Sequence, residues 1–564
     1  MRLLLPLLLL LAAPVLAQPA RVIVRLHAPA DAARLAAGPA AFFATADAAS
    51  WRPIVPPSAR PDVQARRAAF GLDRTLVVTL REGARADAAA AAFARHADVA
   101  FAEADGVGQA GGRAVEIATP VAAPLPDAVA TPGVTPDDPL FSRQWSFDNT
   151  GANLAIPPLR AGADVSATEA WTVTTGAPDA ILAILDSGVR LTHPEIADRL
   201  WTNPGETPGN GLDDDGNGYV DDVNGWDFVN DDALPADDNG HGANVTGIAA
   251  GTGDNALGYA GLDWQARVMT LKIFDAGLFG FYVDWIAALV YAADHGARVA
   301  NLSGGGSGPS QALADAVGYA HAAGVVVTAS MMNTNDNVVY YPAAYETAIG
   351  VGATSGQDQR AAPFCWGGGS VWGPHIDLVA PGDYIFQMTH TSDTNYNVYW
   401  CGTSMAAPHV AGAASLLLAV EPTLTPAQVR ERLMATADDQ VGPANEDTPG
   451  FDVYFGAGRL NVARLLGATV AGEAAPTAGV SLAVGPTPTA GDAVATLRLD
   501  APSARVRVEV VDALGRRVAV VHDGPLAAGA HRLGVAAGRL PAGVYRVRAV
   551  AGETSLAHAL VVTR

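Results

Sequence analysis

Lysine is almost missing from this chain: Lys272 is the only one in 564 residues. Basic charge is short as a whole, with 35 Lys+Arg against 57 Asp+Glu and a net charge of −22. That balance excludes a nucleic-acid binder, whose affinity rests on neutralising phosphates. Cysteine is equally scarce, and two residues exclude a disulfide-stapled scaffold and a four-cysteine zinc site. The 16% charged content beside 49% hydrophobic residues excludes a solvated, disordered chain. Gly and Pro, 60 and 38 residues, fall far below a collagen repeat. Long apolar runs are also lacking. Leu3 to Leu11 is too short to span a bilayer, and Gly402 to Ala419 carries Pro408 and His409 and reads as a buried core helix.

The charge that is present is concentrated. Residues 136–467 hold 12 basic and 39 acidic residues, a net of −27. The two flanks together are weakly basic. At about 100–200 residues per domain, the length predicts three or four domains. Residues 1–17 read as a signal peptide, with Arg2, a leucine run and small residues before Gln18. This predicts a secreted or cell-surface protein. Residues 18–107 read as a small α+β domain. Val22–Val24, Thr75–Leu80 and Val99–Glu103 are expected strands, and Ala86 to His96 an expected helix. Residues 108–135 are rich in Ala, Pro and Gly and read as a linker that a protease could cut.

Residues 136–467 alternate short apolar runs with helical patterns. Ala180–Leu185, Arg267–Ile273, Arg298–Leu302 and Gly324–Ala329 read as strands, and Tyr282–His295 and Ser310–Ala323 as helices. That alternation predicts an α/β fold, a mostly parallel sheet with helices on both faces. Functional residues of such sheets gather at the carboxyl ends of the strands. Residues 468–489 read as a second linker. Residues 490–564 carry six short strand patterns between Gly and Pro turns, which predicts an all-β sandwich.

Three segments of the α/β region carry chemistry together. Asp186 ends a strand and is followed by Ser187-Gly188. His241 lies between two glycines at the start of a helix. Ser404 lies in Gly402-Thr403-Ser404-Met405-Ala406-Ala407-Pro408 at the start of another. A serine hydroxyl becomes a nucleophile when a base takes its proton. An imidazole can do so near neutral pH when a carboxylate holds its other nitrogen. Taken singly, each segment reads as a turn, a loop or a helix cap.

In that order and setting, the three segments resemble the subtilisin-like serine proteases. The resemblance implies a subtilisin-like catalytic domain acting on protein or peptide substrates through an acyl-enzyme. Asp186 would orient, His241 would act as the base, and Ser404 would attack. It places Asn333 at the position that donates to the oxyanion, with Met332 where the family has glycine. It places Ser303, Gly304 and Gly305 along a substrate-binding edge, with Gly304 where the family often has leucine. Ala243 and Asn244 replace the Thr and His usual after Gly-His-Gly. The first domain would be an inhibitory propeptide ending near Val107, so the enzyme's own propeptide is one expected partner. The last domain is similar to type IX secretion sorting domains, through Val508–Arg516 and Leu540–Tyr545, which implies secretion machinery as another. The chain reads as a monomer without an organic cofactor. The rival reading is a binding protein or adhesin that keeps the fold with impaired catalysis.

Asp213, Asp215, Asn217, the Tyr219 carbonyl and Asp221 fall at alternating positions with Gly218 at the turn, the start of an EF-hand-like calcium loop. Asn224 stands where the closing glutamate would be. The alternative is a solvated acidic loop. Asn244 and Asn301 begin glycosylation sequons expected to be buried, and Cys365 and Cys401 either pair or stay free.

Overall fold

The computed structural model describes residues 19–28, 46–116, 133–152, 156–394, 398–468, 480–485, 489, 491–499, 502–512, 516–541, 543–551 and 554–562. The expected signal peptide, 1–17, lies outside them, as do 117–132 and 469–479 of the two expected linkers.

The chain begins with β1 (Arg21–Leu26), β2 (Ala48–Pro53), β3 (Thr75–Leu80) and β4 (Val99–Ala104) in one sheet of order β2-β3-β1-β4, all antiparallel. Alternating side chains serve two cores. Val22, Val24, Leu76 and Val78 pack with Ala89, Ala90 and Phe93 of the helix Ala86–Phe93. Ile23 and Val77 point the other way, into the core of helices Tyr282–Asp294 and Gln311–Ala322. The unit therefore shares a core with the central body.

Two strands follow where sequence composition reads as linker, β5 (Val107–Ala110) and β6 (Arg113–Glu116). The body then adds β7 (Ile181–Asp186), β8 (Gly225–Asp227), β9 (Arg267–Lys272), β10 (Phe279–Phe281), β11 (Val299–Leu302), β12 (Gly304–Gly305), β13 (Val326–Ser330), β14 (Ala348–Thr354), β15 (Leu378–Pro381), β16 (Ile385–Phe386) and β17 (Val398–Cys401). Seven of these make one parallel sheet, β15-β14-β13-β11-β7-β9-β8. Both faces are covered, so its strands are continuous apolar runs. Leu182 and Ile184 join the core of helices His241–Ala250 and Thr403–Val420, while Ala183 and Leu185 join the opposite one. The Thr403–Val420 helix is long and apolar enough to cross a membrane, but it is buried from Thr403 to Leu418. It is a core helix.

The last region holds β18 (Val480–Gly485), β19 (Ala493–Leu499), β20 (Ser503–Asp512), β21 (Arg517–Leu526), β22 (Gly529–Val535), β23 (Gly543–Ala551) and β24 (Thr554–Val562). They form antiparallel sheets β18-β19-β22 and β21-β20-β23-β24 around their own core of Ala495, Leu497, Val508, Val547 and Leu560. The seventh strand, β18, lies in the stretch that composition marks as linker. Its run is too short to signal a strand alone, and Leu482 and Val484 gain their apolar partners from the core that the other strands share.

Candidate active site

Asp186 is the last residue of β7, at the carboxyl edge of the sheet, and is fully buried. Its Oδ1 accepts the Ser187 backbone N–H and meets His241 Nδ1, each at 2.7 Å. His241 is the first residue of its helix. Gly240 before it has φ 106°, a left-handed turn that glycine adopts without strain. Asp237 fixes that turn. It accepts N–H bonds from Asn239, Gly240 and Ala243 and the Ser187 hydroxyl. Burial raises its carboxyl above the usual range despite these donors. The Ser187 oxygen in turn accepts the Gly242 N–H, tying the acid's strand to the histidine's helix. Lys272 braces the same corner from beneath, donating to the Ser187 carbonyl and to Asp238. Motif reading misses Asp237; the available signal is an acid four residues before a glycine-flanked helix start.

Ser404 is the second residue of the Thr403–Val420 helix. Its hydroxyl donates to the Ser303 carbonyl at 3.0 Å. Pro408 lacks an N–H, so the Ser404 carbonyl has no intrahelical donor four residues on. The Ser303 hydroxyl supplies that donor at 2.8 Å. Asn301 Nδ2 donates to the Ser303 oxygen, and the Thr328 hydroxyl donates to Asn301 Oδ1. Adjacent strands β11 and β13 thus hold the serine's support.

Asn333 follows β13. Its Oδ1 accepts both the N–H and the hydroxyl of Thr403, at 2.8 and 3.0 Å. A backbone N–H can only donate, which fixes the amide orientation. Asn333 Nδ2 is therefore turned away from Thr403, buried and without a hydrogen-bond partner among the described residues. Met332 before it has φ 77°, the left-handed region natural to glycine. Asn244 is buried with its amide unpartnered among the described residues.

A cleft crosses these residues, and the chain's own segment lies in it. β5 is sandwiched antiparallel between β12 and β10, with Gly304 facing Ala110, Gly305 facing Gln109 and Gly280 facing Gly108. Beyond it, β6 pairs antiparallel with β17. Gly111 and Gly112 bridge the two strands. The Gly111 N–H donates to Ser404 Oγ at 3.1 Å. A Cβ on Gly402 would stand 3.0 Å from Gly112 Cα and 3.2 Å from the Gly111 carbonyl carbon. A Cβ on Gly112 would stand 3.2 Å from His241 Nε2, which has no hydrogen-bond partner among the described residues. Space at Gly304 is taken by the Phe274 ring, so no leucine would fit there.

The acidic loop has its own geometry. Glu206, Asp213 and Asp215 bring carboxylate oxygens within 4.8 Å of one another. Asn217 Oδ1 accepts the Tyr219 N–H, and its amide donates to Asp215 and Asp222. Asp221 accepts the N–H groups of Asn210 and Gly211. The Tyr219 ring packs on Trp226 and Tyr291. Glu206 lies outside the alternating pattern, and loop reading misses it. Cys365 and Cys401 form a disulfide, three residues before Ser404.

A carboxylate–imidazole pair beside a strand-lined cleft, a serine at a helix start and a free amide donor can perform acyl transfer. Fold and site define a serine protease. The chain belongs to the subtilase family, whose sequence model (peptidase S8) matches residues 178–458. It is 33% identical to thermitase of Thermoactinomyces vulgaris over 328 residues, covering 58% of this chain and 97% of that protein. It is 35% identical to a thermophilic serine proteinase of Bacillus sp. (strain AK1), over 52% of this chain and 63% of that protein. Subtilisin DY of Bacillus licheniformis is 36% identical over 42% of this chain and 81% of its own length.

Proposed function

We propose that the chain is a secreted serine endopeptidase made as a self-inhibited proenzyme. Ser404 is the nucleophile, His241 the general base, and Asp186 the group that holds the imidazole. Asn333 Nδ2 is a donor to the oxyanion, and Ser303, Gly304 and Gly305 form the binding edge. The carrying observation is the Gly111 N–H on Ser404 Oγ, inside a segment paired to both sides of the cleft. An extended segment added to a strand edge is how such a cleft takes a peptide.

The chemistry follows from these groups. Ser404 Oγ bonds to the substrate carbonyl carbon as its proton passes to His241 Nε2. Asp186, bonded to Nδ1, stabilises the imidazolium. The developing oxyanion is met by Asn333 Nδ2, which is already oriented by Thr403 and has no other partner among the described residues. Such a preorganised donor contributes about 3–4 kcal/mol. His241 then gives the proton to the leaving nitrogen as the C–N bond breaks. Water, deprotonated by His241, cleaves the acyl-enzyme and restores the Ser404 hydroxyl.

Ser404→Ala is the test. Peptidase activity and fluorophosphonate labelling should vanish while the chain stays folded and uncut. Turnover retained in a clean preparation would return weight to the binding-protein reading.

Residues 1–17 direct export, residues 18–107 act as the inhibitory propeptide, and the final sandwich is read by type IX secretion machinery. Residues 513–515 and 542 of that last motif lie outside the described residues. Glu206, Asp213 and Asp215 hold a calcium ion. The buried, unpartnered Glu206 Oε2 fits this, and an all-oxygen set suits a hard cation. Bound there, the ion would tether the loop against the body. EDTA should lower the thermal midpoint of the wild type and not of Asp213→Asn/Asp215→Asn; equal midpoints with and without EDTA would exclude the site.

A further inference from the structure

The cleft segment reads Gly106-Val107-Gly108-Gln109-Ala110-Gly111-Gly112. None of its four glycines has a positive φ, so the backbone does not require glycine at any of them. The enzyme's walls do. A Cβ on Gly106 would overlap the Tyr282 ring, and one on Gly108 would overlap the Trp285 ring. Trp285 is fully buried, against Phe274 and Tyr282, and cannot swing aside. A Cβ on Gly111 would overlap Asn333 Nδ2, whose amide is held by two bonds from Thr403. The Met332 methyl stands 3.5 Å from the same point, at contact distance, and a Cβ on Gly305 would stand 3.0 Å from Met332 Cγ. Gln109, between these glycines, is exposed.

The same contacts fix which bond is presented. Upstream pairing ends at Ala110 and downstream pairing begins at Arg113. Between them, Ser404 and Asn333 meet Gly111, and His241 meets Gly112. The unpaired Gly111–Gly112 link therefore lies beside Ser404 Oγ and the His241 ring.

We propose that this protease is selective for glycine at the first and fourth residues before the cleaved bond, imposed by Asn333 and by Trp285 respectively. Its first substrate is its own Gly111–Gly112 bond. This rests on the serine-protease reading above. In the step, Ser404 Oγ bonds to the Gly111 carbonyl carbon, and its proton passes through His241 to the Gly112 nitrogen as the C–N bond breaks. That step frees Gly112 as the new amino terminus; water then hydrolyses the Gly111 ester, releasing Gly111 as a carboxylate and restoring the Ser404 hydroxyl. Gly-rich extended protein segments are the substrate class that fits.

Intact mass of the full chain during self-processing tests the bond. The released N-terminal fragment should end at Gly111. Gly108→Val and Gly111→Val should each slow processing at least tenfold, while Gln109→Trp, a larger side chain at an exposed position, should not. On the processed enzyme, peptides with glycine at the first and fourth positions should exceed their leucine counterparts at least tenfold in kcat/KM. Met332→Gly relieves a left-handed methionine, so it should fold. It should leave both preferences in place, because Asn333 Nδ2 still fills the Gly111 Cβ position; Trp285→Ala should erase the fourth-position preference and leave the first intact. Fluorophosphonate labelling of Ser404 in each preparation separates the two levels. A labelled enzyme that releases a fragment ending elsewhere, or that takes leucine as well as glycine, overturns the selectivity alone. A folded wild-type chain that neither labels nor cuts overturns the protease reading, and the selectivity with it.

Discussion

Two small β-rich regions flank the same catalytic body, and they are joined to it differently. The sandwich after the body keeps its own core, made of residues from β18 to β24. The sheet before the body lends one face, Ile23 and Val77, to the core of two body helices. It also supplies their caps. Glu103 accepts the Gln311 and Ala312 N–H groups and the Ser310 hydroxyl, and Asp105 accepts the Val283 N–H and pairs with Arg21. Acidic groups at helix N-termini are favourable, so the two carboxylates fasten the first region to the body beside the cleft. Two regions of similar texture thus differ in their attachment: the first shares a core with the body, and the second keeps its own core and meets the body where Arg546 lies over the Phe451 ring.

Deletion would break that contrast with the largest effect. Removing residues up to 107 should reduce the yield of folded, labelled body severalfold or more, because Ile23, Val77 and the two caps are lost together. Removing residues after 468 should leave yield and activity unchanged within about twofold. Equal losses from both ends, measured by fluorophosphonate labelling per mole of soluble protein, would erase the distinction.

The disulfide probes the body alone. Cys365 and Cys401 are 36 residues apart, and closing such a loop contributes about 4 kcal/mol. Cys365→Ser/Cys401→Ser should lower the unfolding midpoint of the body and leave that of the sandwich where it is. A calorimetric scan showing both shift together would mean the sandwich is not independent.

Proton linkage at the first interface is the smallest effect. Burial raises the Asp105 carboxyl from 3.8 to about 7, and that of neighbouring Asp284 to about 6. A carboxyl with a raised value in the docked state binds its proton more tightly there, so docking is favoured at low pH. That advantage is lost as pH rises from about 4 to about 7. After self-cleavage, the first region should separate from the body faster at pH 8 than at pH 5, as read by size exclusion. Asp105→Asn should flatten that dependence. An unchanged pH profile in this variant would assign the linkage to another group.

What could be read directly were features carried by neighbours in sequence. Strands β3, β7 and β11 and helices Tyr282–Asp294 and Gln311–Ala322 follow their apolar patterns closely, since each is a continuous run between turns. Asp186, His241, Ser404 and Asn333 each sit in a short motif, and the fold brings all four to one cleft. The stretch 108–135 was illegible for the opposite reason. Val107–Ala110 and Arg113–Glu116 have no strand pattern of their own, and their partners lie far along the chain. Glu206 and Asp237 were likewise hidden, because a carboxylate's role depends on which N–H groups or other carboxylates surround it.

The sequence by itself determined the chemistry: which hydroxyl, imidazole, carboxylate and amide are available, and the α/β scaffold whose strand ends present them. Periodicity and local motifs encode these, because they depend on residues within a few positions. Only the tertiary structure decided what fills the cleft. Gly111 meets Ser404 across 293 residues, and the need for glycine at positions 106, 108 and 111 comes from Tyr282, Trp285 and Asn333 rather than from any turn. A backbone written as flexible in composition is held extended there by strand edges that the chain supplies from elsewhere.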